Sequence, residues 1–204
     1  MGVTIPGGGV CSRGERGAVQ RIGKLLDRNA SVVVLIDVQE SYRGKIFQEE
    51  RFAVAVKRLL AAARLIEVPI VVTEQYPRGL GSTWPELKEE LPANTQIIAK
   101  RCLSCWGAAG FADALRRLAR TQVLVCGLET HACVNQTVHD LLERGFQVHV
   151  PFDAVSSRFE LDYQVGLQKL VQLGALPSSS EMAAFEWLRT ADAPEFKRVQ
   201  QLFK

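Results

Sequence analysis

The sequence predicts an α/β protein in which a mainly parallel, doubly wound sheet lies between two layers of helices. Short apolar, β-branched segments alternate along the chain with longer segments whose apolar residues recur at helical spacing. This alternation is typical of parallel sheets, because parallel strands need crossover connections and helices supply them. The 204 residues suffice for one such domain and leave little room for a second.

The predicted elements follow one another regularly. Residues 31–37 are an almost unbroken apolar run, as expected of a central strand that is covered on both faces. Residues 49–67 form an amphipathic helix. Further strands are predicted at 68–73, 95–100, 123–126, 147–150 and 174–176. Further helices are predicted at 108–119, from 132 to the closing Gly145, and at 160–173, 181–188 and 194–204, while 74–84 reads as a long loop.

The first 29 residues are glycine-rich and then of mixed charge, and they contain no apolar stretch like that of a secretory signal. We expect residues 1–29 to form a flexible or loosely docked arm, followed by a single domain at 30–204. An organelle transit peptide is the alternative, which the acidic residues Glu15 and Asp27 weaken.

Composition excludes several classes of function. A formal charge of +3, without a dense basic patch, argues against a nucleic-acid partner. No apolar run approaches the roughly 20 residues of a membrane span. Five cysteines, two of them in or beside a predicted core strand, suit a reducing compartment. We therefore expect an intracellular protein, cytoplasmic or alternatively mitochondrial.

Reactive side chains follow three of the predicted strands. Asp37 and Lys100 end their strands, and Cys133 lies in the turn after 123–126. The carboxyl ends of parallel strands lie on one edge of a sheet, so these side chains can converge there. Cys133 also falls at or near the start of a helix, where the helix dipole favours a thiolate, and we expect its pKa to lie well below about 8.5.

This trio is suited to nucleophilic catalysis. Asp37 accepts the thiol proton, Lys100 stabilises the thiolate, and Cys133 attacks a carbonyl carbon. Backbone N–H groups of the turn hold the oxyanion, and water activated by Asp37 then hydrolyses the thioester.

Five motifs follow one another along the chain. They are Asp-Val-Gln at 37–39, Thr-Glu-Gln-Tyr-Pro-Arg-Gly-Leu-Gly at 73–81, Lys100, Gly-Leu-Glu-Thr-His-Ala-Cys-Val at 127–134 and Asp-Ala-Val-Ser-Ser-Arg at 153–158. Their ordered combination resembles the isochorismatase-like superfamily of cysteine hydrolases, and within it the isochorismatase domain-containing proteins. The resemblance covers about residues 31–188.

The resemblance implies an αβα sandwich around a six-stranded parallel sheet and a catalytic triad of Asp37, Lys100 and Cys133. It also implies a cis peptide bond between Leu128 and Glu129 and an oxyanion hole formed by the N–H groups of Glu129 and Cys133. A homodimer or larger homo-oligomer is implied as well. The retained cysteine favours hydrolysis of the C–N bond of a small amide or carbamoyl compound.

Nicotinamidases of this superfamily carry an Asp-x-His-x-His metal cluster, and this sequence has no such run. We therefore expect neither a metal nor another cofactor. Glu129 stands where nicotinamidases usually have a small residue. Candidates for substrate binding are Gln39, Tyr76, Trp106, Thr130 and His131, of which His131 has a turn-stabilising role as its alternative.

Two other functions remain open. Cys102 and Cys105 form a Cys-x-x-Cys pair, which is found in thiol redox proteins and in zinc half-sites, although incidental thiols are commoner. The chain is alternatively a non-catalytic binding or scaffold protein on the same fold.

Overall fold

A parallel sheet forms the centre of the computed structural model, which describes residues 25–204. Six strands pair in the order β3-β2-β1-β4-β5-β7, and the short β6 pairs with the end of β4. The strands are β1 (Ser31–Ile36), β2 (Ile70–Gln75), β3 (Ile97–Lys100), β4 (Gln122–Leu128), β5 (Gln147–Pro151), β6 (Val155–Ser156) and β7 (Leu176–Ser178). The predicted fold class is confirmed.

Helices cover both faces of the sheet. The helices are α1 (Glu49–Ile66), α2 (Pro77–Leu80), α3 (Pro85–Lys88), α4 (Phe111–Leu118), α5 (Asn135–Glu143), α6 (Glu160–Gln172), α7 (Ser180–Leu188) and α8 (Phe196–Leu202). Helices α1, α7 and α8 share one apolar cluster with the sheet, and α4, α5 and α6 share the other. None of the helices between residues 25 and 204 is long and apolar enough to cross a membrane.

The central strand β1 explains how two cores form from one sheet. Val33 and Leu35 point into the cluster of α1, whereas Val32, Val34 and Ile36 point into the cluster of α4 and α5. Every residue of β1 is buried, because the strand has neighbours on both sides and helices on both faces. Residues that follow such a strand lie in the middle of the sheet edge.

Two sequence-based boundaries need correction. The predicted arm includes residues 25–29, but Leu26 is fully buried and Arg28 pairs with Glu195 at 3.1 Å. The chain is therefore docked on the domain from these residues onward, and the predicted arm otherwise lies outside the described residues. The predicted loop at 74–84 contains α2, and α3 follows it, each starting at a proline, which suits the first turn of a helix.

Candidate active site

The carboxyl edge of the four strands β3, β2, β1 and β4 brings the predicted triad residues into one buried cluster. Asp37 directly follows β1 and has φ 53°, in the left-handed region that aspartate tolerates better than most residues. Lys100 is the last residue of β3, and its Nζ lies 2.7 Å from Oδ2 of Asp37. Cys133 lies in the π-helical turn between β4 and α5 and is 7% exposed.

Lys100 is held on several sides. Its Nζ donates to Oε1 of Gln75 at 2.6 Å and to the carbonyl oxygens of Cys102 and Leu103 at 3.2 and 3.0 Å. An ammonium group has three N–H donors, so these acceptors can use all of them. Oδ2 of Asp37 accordingly faces the charge at 2.7 Å but accepts no aligned hydrogen bond from residues 25–204. That oxygen is available to accept a proton.

Asp37 is also held from its other side by Thr73, which is fully buried in β2. The hydroxyl of Thr73 donates to Oδ1 of Asp37 at 2.8 Å, and the Asp37 N–H donates to the Thr73 carbonyl at 3.1 Å. Thr73 was not among the predicted site residues. The available signal was a threonine at the end of the predicted strand 68–73, the next strand after the one that precedes Asp37.

The expectation of an acidic Cys133 thiol is wrong. Burial and, to a smaller extent, the Asp37 carboxylate raise its pKa to about 12, and the opposing effect of Lys100 only partly offsets them. The same cluster keeps Lys100 charged: although burial lowers its pKa, Asp37 and Cys133 outweigh that effect and raise it. The resting state thus contains a protonated thiol beside a carboxylate–ammonium pair.

Close packing positions the turn that carries Cys133. Gly127 has φ 115°, and a Cβ there would lie 2.1 Å from the carbonyl oxygen of Ile36, so only glycine fits beside the end of β1. The peptide bond between Leu128 and Glu129 is cis. On the other side of the turn, a Cβ at Gly166 of α6 would lie 3.0 Å from Cγ2 of Thr130.

The Glu129 carboxylate ties this turn to the segment before α6. Its Oε1 accepts from both the backbone N–H of Arg158 at 3.0 Å and the Arg158 Nε at 2.9 Å. The Glu129 side chain is 7% exposed and that of Arg158 is 48% exposed, so the pair reaches from the buried turn to solvent. Nδ1 of His131 lies 3.0 Å from the hydroxyl of Ser157, which agrees with a turn-stabilising role.

Tyr42 is a second residue of the site that was not predicted from the sequence. It belongs to the 3₁₀ turn Glu40–Tyr42 after β1. Burial and the nearby charges of Glu129, Cys133 and Asp37 raise its pKa to about 12, so the phenol is a neutral hydrogen-bond donor.

The predicted substrate-binding residues separate into three groups. Gln39 is fully buried, and its side-chain amide forms hydrogen bonds with the backbone of Gln75 and Gly81. Gln39 therefore supports the site from behind, and the prediction that it contacts the substrate is corrected. Trp106 packs against Phe111 and Phe146 beneath Arg144, and its contact with a substrate stays a prediction.

The remaining candidates lie closer to the triad residues. Tyr76 and Lys100 line a cleft of about 570 Å³, and Arg101 stacks on the Tyr76 ring at 4.2 Å. Thr130 lies in the turn with Cys133, and its fully buried hydroxyl has no hydrogen-bond partner among residues 25–204.

The two cysteines of the Cys-x-x-Cys pair have different surroundings. Cys102 is half-buried beside Gly107, whereas Cys105 is fully buried with its Sγ 3.6 Å from Oγ1 of Thr73. Both thiols are free. Within residues 25–204, no three or more His, Cys, Asp and Glu side chains are grouped so that they could hold a metal ion.

Comparison with known proteins gives consistent matches over nearly the whole described chain. The model of the isochorismatase domain matches residues 31–182. Human isochorismatase domain-containing protein 2 is 42% identical over 183 residues, which cover 90% of this chain and 87% of that protein. The structure of a MAR1 ribonuclease from Caenorhabditis elegans superposes with a TM-score of 0.84 at 38% identity, covering 88% of this chain and 92% of that one. YcaC from Pseudomonas aeruginosa, with hexane-2,5-diol and covalent acrylamide, gives a TM-score of 0.82 at 25% identity, with 88% and 91% coverage.

Proposed function

We propose that this chain, which belongs to the isochorismatase family, is a cysteine hydrolase that cleaves the C–N bond of a small amide or carbamoyl compound. The single observation that carries the proposal is the buried Asp37–Lys100 pair beside the Cys133 thiol. Membership of the family supports a hydrolase-like fold, and the triad and its substrate class are our inference from the geometry.

In the proposed reaction, Cys133 attacks as its proton is removed. Because burial keeps the thiol protonated at neutral pH, Oδ2 of Asp37 takes the proton while sulfur bonds to the carbonyl carbon. Lys100 stabilises the negative charge on sulfur and carboxylate as the proton moves. The proton on Asp37 then passes to the leaving nitrogen, which departs as ammonia or an amine.

The second half of the reaction releases the acid. Asp37, again a carboxylate, takes a proton from water, and the hydroxide adds to the thioester carbon. The carbon–sulfur bond breaks and Cys133 regains its proton. We assign the oxyanion in both halves to the backbone N–H groups of Glu129 and Cys133, since both belong to the turn that presents the sulfur.

Two further observations support the proposal. Tyr42 is a neutral donor near Cys133 and Asp37, which suits binding of a carbonyl or amide group. YcaC carries covalent acrylamide, an amide that reacts with nucleophiles, and this supports a reactive nucleophile on the shared fold. We also propose a homo-oligomer, since Phe159 and Leu161 leave apolar surface 63% and 70% exposed; light scattering would test it.

The experiment is to incubate the protein with a panel of small amides and carbamoyl compounds, quench rapidly and search for an acyl adduct by mass spectrometry. We expect the adduct on Cys133 and no turnover in Cys133→Ala. The matched control is Cys126→Ala, which removes a buried thiol on the opposite face of the sheet. RNA belongs in the panel because the Caenorhabditis elegans protein is named a ribonuclease. Turnover that survives Cys133→Ala would overturn the proposal, and binding without turnover would favour the scaffold function.

A further inference from the structure

Thr73 holds Asp37 through two separate hydrogen bonds. The backbone carbonyl of Thr73 accepts from the Asp37 N–H at 3.1 Å, and the Thr73 hydroxyl lies 2.8 Å from Oδ1 of Asp37. The parallel register pairs Thr73 with Ile36, which places the hydroxyl beside the residue that follows β1. Thr73 is fully buried, so water does not compete for these groups.

The chemistry of the groups fixes the direction of the hydrogen bond between Thr73 and Asp37. Asp37 pairs with Lys100 Nζ at 2.7 Å, so it is a carboxylate and can only accept. The Thr73 hydroxyl has one proton, which it must donate to Asp37. Its oxygen is then left to accept from the Cys105 thiol, whose Sγ lies 3.6 Å away and which also interacts with the Thr137 hydroxyl. Cys105 retains its proton, because burial raises its pKa to about 11.

A consequence for Asp37 follows from this direction. The chain from the Cys105 thiol through the Thr73 hydroxyl ends on Oδ1 and fixes the rotation of the carboxylate. Oδ2 is then turned toward Lys100 and left without an aligned hydrogen bond from residues 25–204. A base that must accept a proton at one oxygen benefits when the other oxygen is occupied.

We propose that Thr73 and Cys105 are positioning residues that act through Asp37, holding its Oδ1 so that its Oδ2 takes the proton of Cys133. This inference rests on the proposed function. It assigns Cys105 to the support of the base, separate from any redox pair with Cys102.

The test follows acylation of Cys133 by p-nitrophenyl acetate, which needs no knowledge of the natural substrate. In this step the sulfur–acetyl bond forms, the ester C–O bond breaks, the thiol proton goes to Asp37 and nitrophenolate leaves. The rate of the nitrophenolate burst is measured against pH, and mass spectrometry locates the acetyl group. Denaturant unfolding of each variant shows that it is folded.

In Thr73→Val we expect a burst about ten-fold slower than wild type, since a hydrogen bond to a charged group is lost. We also expect the acid limb of the plot of burst rate against pH to move to higher pH. The Asp37 carboxylate then loses a hydrogen-bond donor that favours its charged form. Thr73→Ser keeps the hydroxyl and should restore both the rate and the limb. Cys105→Ala should slow the burst by about two-fold, because a thiol is a weak donor, and Cys105→Ser should not. Thr95→Val, at the opposite edge of the sheet, is the matched control.

The possible outcomes distinguish the positioning role of Thr73 and Cys105 from the proposed function. If Asp37→Asn slows acylation but Thr73→Val follows the wild-type profile, the positioning role is overturned and the function stands. If Asp37→Asn acylates as fast as wild type, or Cys133 is not acylated, the function and the role that rests on it both fall. A profile that Thr73→Ser does not restore identifies a packing effect and also overturns the positioning role.

Discussion

Nζ of Lys100 lies 2.7 Å from Oδ2 of Asp37, and the two side chains are 0% and 1% exposed. Such a pair is a weak source of stability, because removing two charges from water costs about as much as their attraction returns. Its surroundings reduce the cost by supplying Gln75 and two carbonyls to Lys100 and Thr73 to Asp37. Because stability does not require this buried pair, its presence supports the proposed chemistry at Cys133.

The first prediction concerns this pair. Lys100→Met should destabilise the fold by roughly 3–5 kcal/mol, because it leaves a buried carboxylate without a countercharge. The double variant Asp37→Asn/Lys100→Met should recover most of that loss and remain inactive. Urea unfolding and amide turnover measure the two effects. A double variant less stable than Lys100→Met alone would contradict this account.

The second prediction separates thiol acidity from catalysis. Because the Asp37 carboxylate raises the pKa of Cys133, Asp37→Asn should lower that pKa from its value of about 12. The same change removes the base, so turnover should fall even though more thiolate is present. Titration of the thiolate ultraviolet absorbance, with Cys133→Ala subtracted, measures the pKa. An unchanged titration would show that Asp37 does not act on the sulfur.

The edge of the sheet was predictable, because Asp37 and Lys100 each follow a short apolar run and parallel strands bring such ends together. The acidity of Cys133 was mispredicted, since a position near a helix start says nothing about burial or about the distance to Asp37. The turn is π-helical, and burial together with the Asp37 carboxylate raises the pKa of the thiol there.

The supporting residues could not be found from the sequence for a different reason. Whether Gln39 faces a substrate or the backbone of Gln75 depends on side-chain direction, which periodicity does not give. Thr73 and Gly166 matter only because a residue distant in sequence lies against them. Trp106 follows a strand end, and its ring packs against Phe111 and Phe146.

The third prediction concerns alkaline stability. Burial raises the pKa of Cys105 to about 11 and that of Cys133 to about 12 in the fold. Below about pH 8.5 both thiols are protonated in the folded and in the unfolded protein, so their contribution to the free energy of unfolding is fully present. As pH rises further, the unfolded chain ionises first, so each thiol lowers the free energy of unfolding by up to about 1.4 kcal/mol per pH unit. Cys105→Ala should show a shallower decline in urea unfolding between pH 9 and 11. If the free energy of unfolding of Cys105→Ala declined as steeply as that of wild type, ionisation of Cys105 would not contribute to the alkaline loss of stability.

The fourth prediction tests the close approach of β1 and β4. Gly127→Ala should destabilise the fold by more than about 3 kcal/mol, since its Cβ would lie 2.1 Å from the Ile36 carbonyl oxygen and the backbone must move. Gly145→Ala is the matched control: its φ is 81° and nothing lies within 4 Å, so only the left-handed conformation costs energy, about 1–2 kcal/mol. Equal losses in thermal or urea unfolding would show that the contact does not constrain the strands.

The fifth prediction concerns the Glu129–Arg158 pair, which connects the turn of Cys133 to the segment before α6. Arg158→Ala leaves the buried Glu129 carboxylate with only a backbone donor, so the fold should lose about 1–2 kcal/mol and turnover should fall as the turn shifts. A double-mutant cycle with Glu129→Gln should give a coupling free energy of about 1 kcal/mol. The cycle at Arg116–Asp113, whose side chains are 74% and 55% exposed, should give no measurable coupling. A coupling in turnover without one in stability would mean that Arg158 acts on the substrate and does not anchor the turn.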